Sequence, residues 1–234
     1  MGVNILYINE EALEGIYVDA SQSYNKPARS ASTFNIPGRN GALVLDNGTF
    51  DNVLIPYPCY IKNGFNTAFS ALVNKLGNMK GYQRIECSDD PTHYREGRVV
   101  LPQTPDVHDL NTAGFFTLSF DCKPQRFLLS GETRTRLQAS GTINNPTNNY
   151  ARPTLEVYGS GSFSINDVSI TVENNTVYTI IDSELQECFY NTTSKNNDVS
   201  FSGNDFPLLK PGNNVITFGS GITDLYITPH WWEL

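Results

Sequence analysis

The sequence predicts a mostly β chain in two parts, the first carrying one α-helix and the second an antiparallel sandwich with no helix. Three observations predict it. Short β-prone runs separated by Gly, Asn and Pro turns fill most of the chain. A single stretch, Phe65 to Met79, switches to three- and four-residue apolar spacing. Beyond Asn149, roughly seven short strands follow one another at hairpin spacing with no helical period.

Taken in order, Val3 to Ile8 and Gly15 to Val18 are the first β-prone runs. Phe34-Asn35-Ile36-Pro37-Gly38-Arg39-Asn40-Gly41 then enters a tight turn, and Ala42 to Leu45 leaves it. Pro37 fixes φ, while Gly38 and the Asn40-Gly41 pair accept positive φ, so the segment predicts a hairpin with Arg39 exposed at its tip. Val53 to Ile61 carries Pro56 and Pro58, which place it at a sheet edge or bend. In the helix, Phe65, Ala68, Phe69, Leu72, Val73, Leu76 and Met79 make one apolar face. Asn66 or Thr67 can cap its start, and Gly77 or Gly81 can end it.

Further on, Tyr82 to Cys87 and Tyr94 to Leu101 read as strands joined by a turn at Ser88 to Pro91, and Pro102 to Leu110 as a loop. Gly114 to Cys122 alternates and meets Lys123-Pro124-Gln125-Arg126-Phe127. A boundary falls between Leu128 and Asn149, with Ser140 to Asn149 as a connecting loop, giving domains 1–130 and 131–234. Near the end, Pro211-Gly212 bends the chain, Asn213 or Asn214 can bond back to the backbone, and Val215-Ile216 re-enters a sheet.

Composition narrows the function. The 234 residues carry 16 Lys and Arg against 24 Asp and Glu, a net charge of −8. No basic cluster is present, so nucleic acid is not an expected partner. No window approaches the roughly 18 apolar residues of a membrane span. The first residues lack a basic stretch and an apolar core, so no secretory signal is expected and synthesis in a cytoplasm is. Cys59, Cys87, Cys122 and Cys188 lie far apart without C-x-x-C spacing, which predicts buried thiols rather than zinc or disulfides. Three Asn-x-Thr triplets, at Asn47, Asn174 and Asn191, read as turns.

Catalytic chemistry finds little support. Asp182 and Glu184, two apart on a predicted strand, share a face as an acid/base pair would, but no partner group accompanies them. A glycoside hydrolase needs two carboxylates about 5–10 Å apart across a groove. His93, His108 and His230 show no metal spacing and no nucleophile motif. Asp89-Asp90 lacks a calcium-loop pattern and fits an Asx turn. No catalytic residue, metal or cofactor is therefore expected. Trp231 and Trp232 offer the one candidate sugar or partner contact. As neighbours on a strand they face opposite ways, so one is expected in the core and the other at most half exposed.

Several segments together resemble the distal tail proteins of long-tailed (siphovirus) bacteriophages and prophages. The Gly38-Arg39-Asn40-Gly41 hairpin and the Pro-aromatic segment at Lys123 to Phe127 resemble landmarks of that family's N-terminal domain. Ala151 to Gly161 resembles the opening strand of its galectin-like, carbohydrate-binding-module-like sandwich. Ile181 to Tyr190 resembles the central Asp-containing strand, and Phe206 to Ile216 the turn before a late strand. The resemblance implies a structural virion protein, not an enzyme: a homohexameric hub at the distal end of the tail. It implies a ring-building N-terminal domain, with Arg39 and Asn40 as candidate subunit contacts. Its expected partners are the major tail tube protein, the tail-associated fibre or lysin, and receptor-binding baseplate proteins. The alternative is a sandwich that recognises host cell-surface glycans.

Overall fold

The computed structural model describes residues 4–19, 25–101, 105–108, 112–203 and 205–234. The chain divides into two compact units, Met1–Arg126 with Leu234, and Phe127–Glu233.

The first unit contains β1 (Leu6–Ile8), β2 (Glu11–Ala12), β3 (Tyr17–Val18), β4 (Arg29–Asn35), β5 (Ala42–Phe50), β6 (Val53–Ile61), α1 (Phe65–Gly77), β7 (Gln83–Cys87), β8 (His93–Val100), β9 (Asp106–His108) and all but the last two residues of β10 (Ala113–Leu128). One antiparallel sheet runs β2-β1-β7-β8-β10-β6-β3, with β9 beside β10. Alternation fixes which face is buried: Ile55, Tyr57 and Cys59 of β6 and Phe116, Leu118 and Phe120 of β10 enter one core. Phe65, Leu72 and Leu76 of α1 join them, each burial contributing about 1.5–3 kcal/mol. The Phe65 and Phe69 rings stack at 5.2 Å, and Phe69 meets Phe116 edge-on at 5.2 Å.

The helix is where its spacing predicts, but its cap is not. Gly64, at φ 64°, is the N-cap, and no side chain bonds there, so Asn66 and Thr67 lie inside the first turn. The end falls at Gly77, with Asn78 following. An expected loop also contains strand. Of Pro102 to Leu110, residues 102–104 and 109–110 lie outside the described residues, while β9 pairs with Ala113 to Phe115. The β10 strand continues six residues beyond Cys122, through Pro124.

The second unit contains β11 (Thr135–Leu137), β12 (Gly141–Asn145), β13 (Thr154–Gly159), β14 (Gly161–Ile165), β15 (Val168–Val172), β16 (Thr179–Asp182), β17 (Glu187–Tyr190), β18 (Thr193–Ser194), β19 (Val199–Phe201), β20 (Gly212–Phe218), β21 (Ile222–Thr228) and β22 (Trp232–Glu233). Two antiparallel sheets, β11-β21-β13-β16-β17-β18 and β12-β20-β14-β15-β19, supply one shared core. Leu155, Ile181 and Leu225 enter it from one sheet, Phe163, Ile170 and Ile216 from the other. The described part of the unit has no α-helix, only short 3-10 turns at Leu129–Glu132 and Asn196–Asp198.

Gly141 to Asn145, expected as a connecting loop, is strand β12 instead, paired with Gly212 to Ile216. Its polar residues belong to an edge strand whose outer side faces solvent. Ile181 to Tyr190 is a hairpin rather than one strand, because Ser183 to Gln186 turns between β16 and β17. Asp182 makes that turn: its Oδ1 accepts from the Glu184 and Leu185 amides, both at 2.9 Å.

Two devices close the sandwich. Asn214 is fully buried and bonds in several directions. Its Oδ1 accepts from the Lys210 amide at 2.8 Å and from Asn166 Nδ2 at 2.9 Å. Its Nδ2 donates to the Lys210 carbonyl at 2.9 Å and the Gly212 carbonyl at 3.0 Å. At the other end, Gly159 and Gly221 both adopt φ 89°, and their backbones pass so closely that only glycine fits. A Cβ on Gly221 would lie 2.0 Å from the Ser160 carbonyl oxygen.

Candidate assembly site

The hairpin predicted around Arg39 forms, and among the described residues it pairs with no other strand. β4 and β5 make a two-stranded sheet of their own, with Phe34 opposite Leu43 and Ser32 opposite Leu45. Gly38 (φ 81°) and Gly41 (φ 82°) turn the tip, where the Arg39 amide donates to the Ile36 carbonyl at 3.1 Å. The Arg39 and Asn40 side chains are exposed at that tip.

The base of the arm is pinned by charge. Arg29 pairs with Asp46 across the strands and also lies 5.5 Å from the centre of the Phe50 ring. The Gly48 amide, followed by Arg29, holds the Asp46 carboxyl below the usual carboxylate range.

The outer half of the arm has an unusual surface. Residues opposite each other in an antiparallel pair share a face. Phe34, Leu43 and Leu45 therefore lie on one face, and they are 52%, 47% and 57% exposed. Val44, 62% exposed, occupies the other face with Thr33. An isolated two-stranded hairpin is marginal in water, and bare strand edges with exposed apolar side chains are docking templates. Sequence reasoning found the tip but missed this stripe, because Leu43 and Leu45 alternate as they would on any strand with one buried face.

The remaining candidates are placed plainly. Trp231 is 5% exposed and packed in the sandwich core, its carbonyl accepting from the Leu128 amide at 2.8 Å. Trp232 is half-buried and donates Nε1–H to the Tyr150 carbonyl at 2.9 Å. Glu184 lies in the turn, not on a strand beside Asp182, and faces Arg152 at 3.3 Å. That removes the geometry expected of an acid/base pair. His93 contacts Asp90 and His230 contacts Glu132, in different units. The side chain of His108 lies outside the described residues. The four cysteines are buried thiols. Burial pushes Cys59, Cys122 and Cys188 up to about 12. Among the described residues, no group of His, Cys, Asp and Glu could hold a metal ion, and no helix is long and apolar enough to cross a membrane.

A second surface feature was not visible in the sequence. On the outer face of the β13-containing sheet, Tyr158 meets Tyr226 at 5.7 Å and Tyr178 at 5.5 Å, and Tyr178 meets Tyr190 at 4.9 Å. All four rings are partly exposed. Arg134 lies over the Tyr226 ring at 3.6 Å and pairs with Glu156 at 2.6 Å. The four tyrosines sit up to 68 positions apart in sequence, and the pairing of β13 with β21 brings Tyr158 beside Tyr226.

No protein-family model matches the chain, and no curated protein sequence matches it. Solved structures do. The Dit protein of phage SPP1, described as a paradigm of the hub adsorption apparatus in phages infecting Gram-positive bacteria, superposes with a TM-score of 0.72 at 15% identity, over 100% of both chains. Chains of the phage P2 baseplate in its activated conformation, with calcium and with strontium, give TM-scores of 0.51 and 0.50 at 9% and 10% identity, covering 97% of this chain and 98% of theirs. From first unit to last strand, the chain has the fold of a phage Dit protein.

Proposed function

We propose that the chain is a structural protein of a phage tail, assembling as a homohexameric hub between the tail tube and the host-adhesion apparatus. The observation that carries this reading is the detached hairpin arm, bare on both edges and apolar on one face, on a scaffold with the SPP1 Dit fold. A ring needs heterologous contacts, one surface of each subunit meeting a different surface of its neighbour. The arm provides the first surface, and the acidic remainder of the chain provides carboxylates for Arg39. Its partners in the particle would be the major tail tube protein, the tail-associated fibre or lysin and receptor-binding baseplate proteins. Its place is the distal end of the virion tail, after synthesis in the host cytoplasm. The role is assembly rather than turnover.

Arg39→Glu tests the contact, with Asn40 beside it at the tip. The substitution is expected to weaken ring formation at least tenfold while the thermal midpoint stays within about 1 °C, since surface changes rarely cost more than about 0.5 kcal/mol. Light scattering and negative-stain images read the ring. Intact six-fold rings at unchanged stability would remove Arg39 from the interface.

The tyrosine face favours a second reading that is compatible with the first. Aromatic rings stack on the apolar faces of sugars, and Glu156 and Arg134 stand beside them as polar partners. Host cell-surface glycans are the ligand class, and Tyr178 and Tyr190 replace Trp231 and Trp232 as the stacking candidates. A glycan array should give signal with the wild-type chain and lose it with Tyr178→Ala. Silence of the wild-type protein would dismiss sugar binding.

A further inference from the structure

Three Asn-Gly pairs occur in the chain: Asn40-Gly41, Asn47-Gly48 and Asn63-Gly64. This dipeptide carries a chemistry of its own. The backbone nitrogen that follows an asparagine can reach the carbonyl carbon of the asparagine side chain and close a small ring. Glycine in second place has no Cβ to obstruct the approach and tolerates the backbone angles that the ring demands. Whether a given pair reacts depends on whether its amide is free and its backbone can swing.

The fold treats the three pairs differently. Within β5, the Gly48 amide donates to Asp46 Oδ1 at 2.8 Å, and Asn47 Nδ2 donates to Ser30 Oγ at 3.2 Å. Both reacting groups are tied down there, and the carboxylate beside the nitrogen opposes its loss of a proton. At Asn63-Gly64 the backbone is clamped. Gly64 is the N-cap of α1, and its carbonyl accepts from the Ala68 amide at 3.0 Å. Next to it, Phe65 is 1% exposed, and its amide donates to the Thr112 carbonyl at 3.2 Å.

Asn40-Gly41 has neither protection. It lies in the loop between β4 and β5, past the turn that the Arg39 amide closes on the Ile36 carbonyl. Among the described residues, no hydrogen bond reaches the Gly41 amide or the Asn40 side chain. No atom lies within 4 Å of the place a Gly41 Cβ would take, so the backbone has room to turn. Both residues are exposed to the water that the second step consumes.

We propose that Asn40 is a self-modification site, where the Gly41 backbone nitrogen attacks the Asn40 side-chain carbonyl carbon. The new C–N bond closes a succinimide, the Cγ–Nδ2 bond breaks, and ammonia leaves with the proton of the Gly41 amide. Water then opens the ring at either carbonyl. One opening gives aspartate, and the other gives isoaspartate, with the chain rerouted through the side chain. Each product adds a carboxylate beside Arg39, where it competes with any outside partner for the guanidinium. Isoaspartate also inserts a methylene into the loop backbone. The modification itself needs nothing from the hub reading. Its consequence rests on that reading: unassembled chains lose competence with age, while a neighbour covering the tip shields assembled ones.

The test incubates the full wild-type chain at neutral and mildly alkaline pH and maps its peptides by mass spectrometry with isoaspartate detection. Asn40 is expected to convert about tenfold faster than Asn47, a barrier difference of about 1.4 kcal/mol, and to outpace Asn63 as well. The rate should climb with pH, because the attacking nitrogen must lose its proton. In denaturant the three pairs should converge, since the fold is what separates them. Conversion of Asn47 or Asn63 as fast as Asn40 in the folded chain overturns the proposal. So does an Asn40 that stays intact in the folded chain although it reacts in denaturant. Rings and free chain are then mapped separately. Isoaspartate concentrated in the free chain supports the shielding; equal amounts in both refute it and remove the tip from the interface, with the rate at Asn40 measured either way.

Discussion

Gly221→Ala is expected to be the most damaging single substitution in the second unit. Its Cβ would lie 2.0 Å from a backbone oxygen, which a side-chain rotation cannot relieve. Its φ of 89° adds backbone strain for any L-residue. Overpacking costs about 1–3 kcal/mol and the left-handed conformation about 1–2 kcal/mol, so a loss of about 2–5 kcal/mol follows. For a sandwich of this size that approaches total stability. Denaturant unfolding measures it, with Gly203→Ala as the control, since no atom lies within 4 Å of a Cβ there. A Gly221→Ala protein within about 1 kcal/mol of wild type would mean that the Gly159–Gly221 crossing opens without penalty, contrary to the close approach described above.

The second large effect concerns assembly rather than folding. Phe34, Leu43 and Leu45 contribute little to the monomer, because about half of each is already in water. Replacing all three by glutamine should leave the thermal midpoint nearly unchanged, or raise solubility, while removing the apolar face that a neighbour would cover. At about 25 cal/mol per Å² of apolar surface removed from water, three such side chains per interface contribute several kcal/mol, repeated around a closed ring. Complete loss of rings in light scattering is the expected result. Rings that survive the triple replacement would show that the arm is not the contact, and the hub proposal would need a different surface. A variant that unfolds would place these residues in the monomer core, against their exposure.

Much of the fold was legible because periodicity and turn chemistry are local. The helix follows from its three- and four-residue spacing, and the hairpin tip from Pro37, Gly38 and Asn40-Gly41. Composition misled where tertiary pairing decided. Gly141 to Asn145 has the residues of a loop, yet β20 offers it an open edge and it pairs. Gly64 took the helix cap from Asn66 and Thr67 because its left-handed backbone sets where the helix begins.

The surface features were harder to see, for a different reason. That Phe34, Leu43 and Leu45 share a face is readable once the register is known. That no second layer covers them depends on what the rest of the chain does. The tyrosine face joins residues from separate strands, and no spacing within a single strand signals it.

The two prolines of β6 set a limit on how copies of this chain can join. The Pro58 carbonyl accepts from the Asp19 amide at 2.8 Å, on the side away from β10, and β3 pairs only with Cys59 and Tyr60. Pro56 has the same orientation as Pro58, so both positions lack a donor on that flank. A foreign strand laid there would find acceptors without their matching N–H groups. The large sheet is thus sealed against end-to-end extension along this side, the route by which β proteins polymerise into fibres. Extension is discouraged along this flank, whereas β4 and β5 of the arm contain no proline and keep every backbone donor.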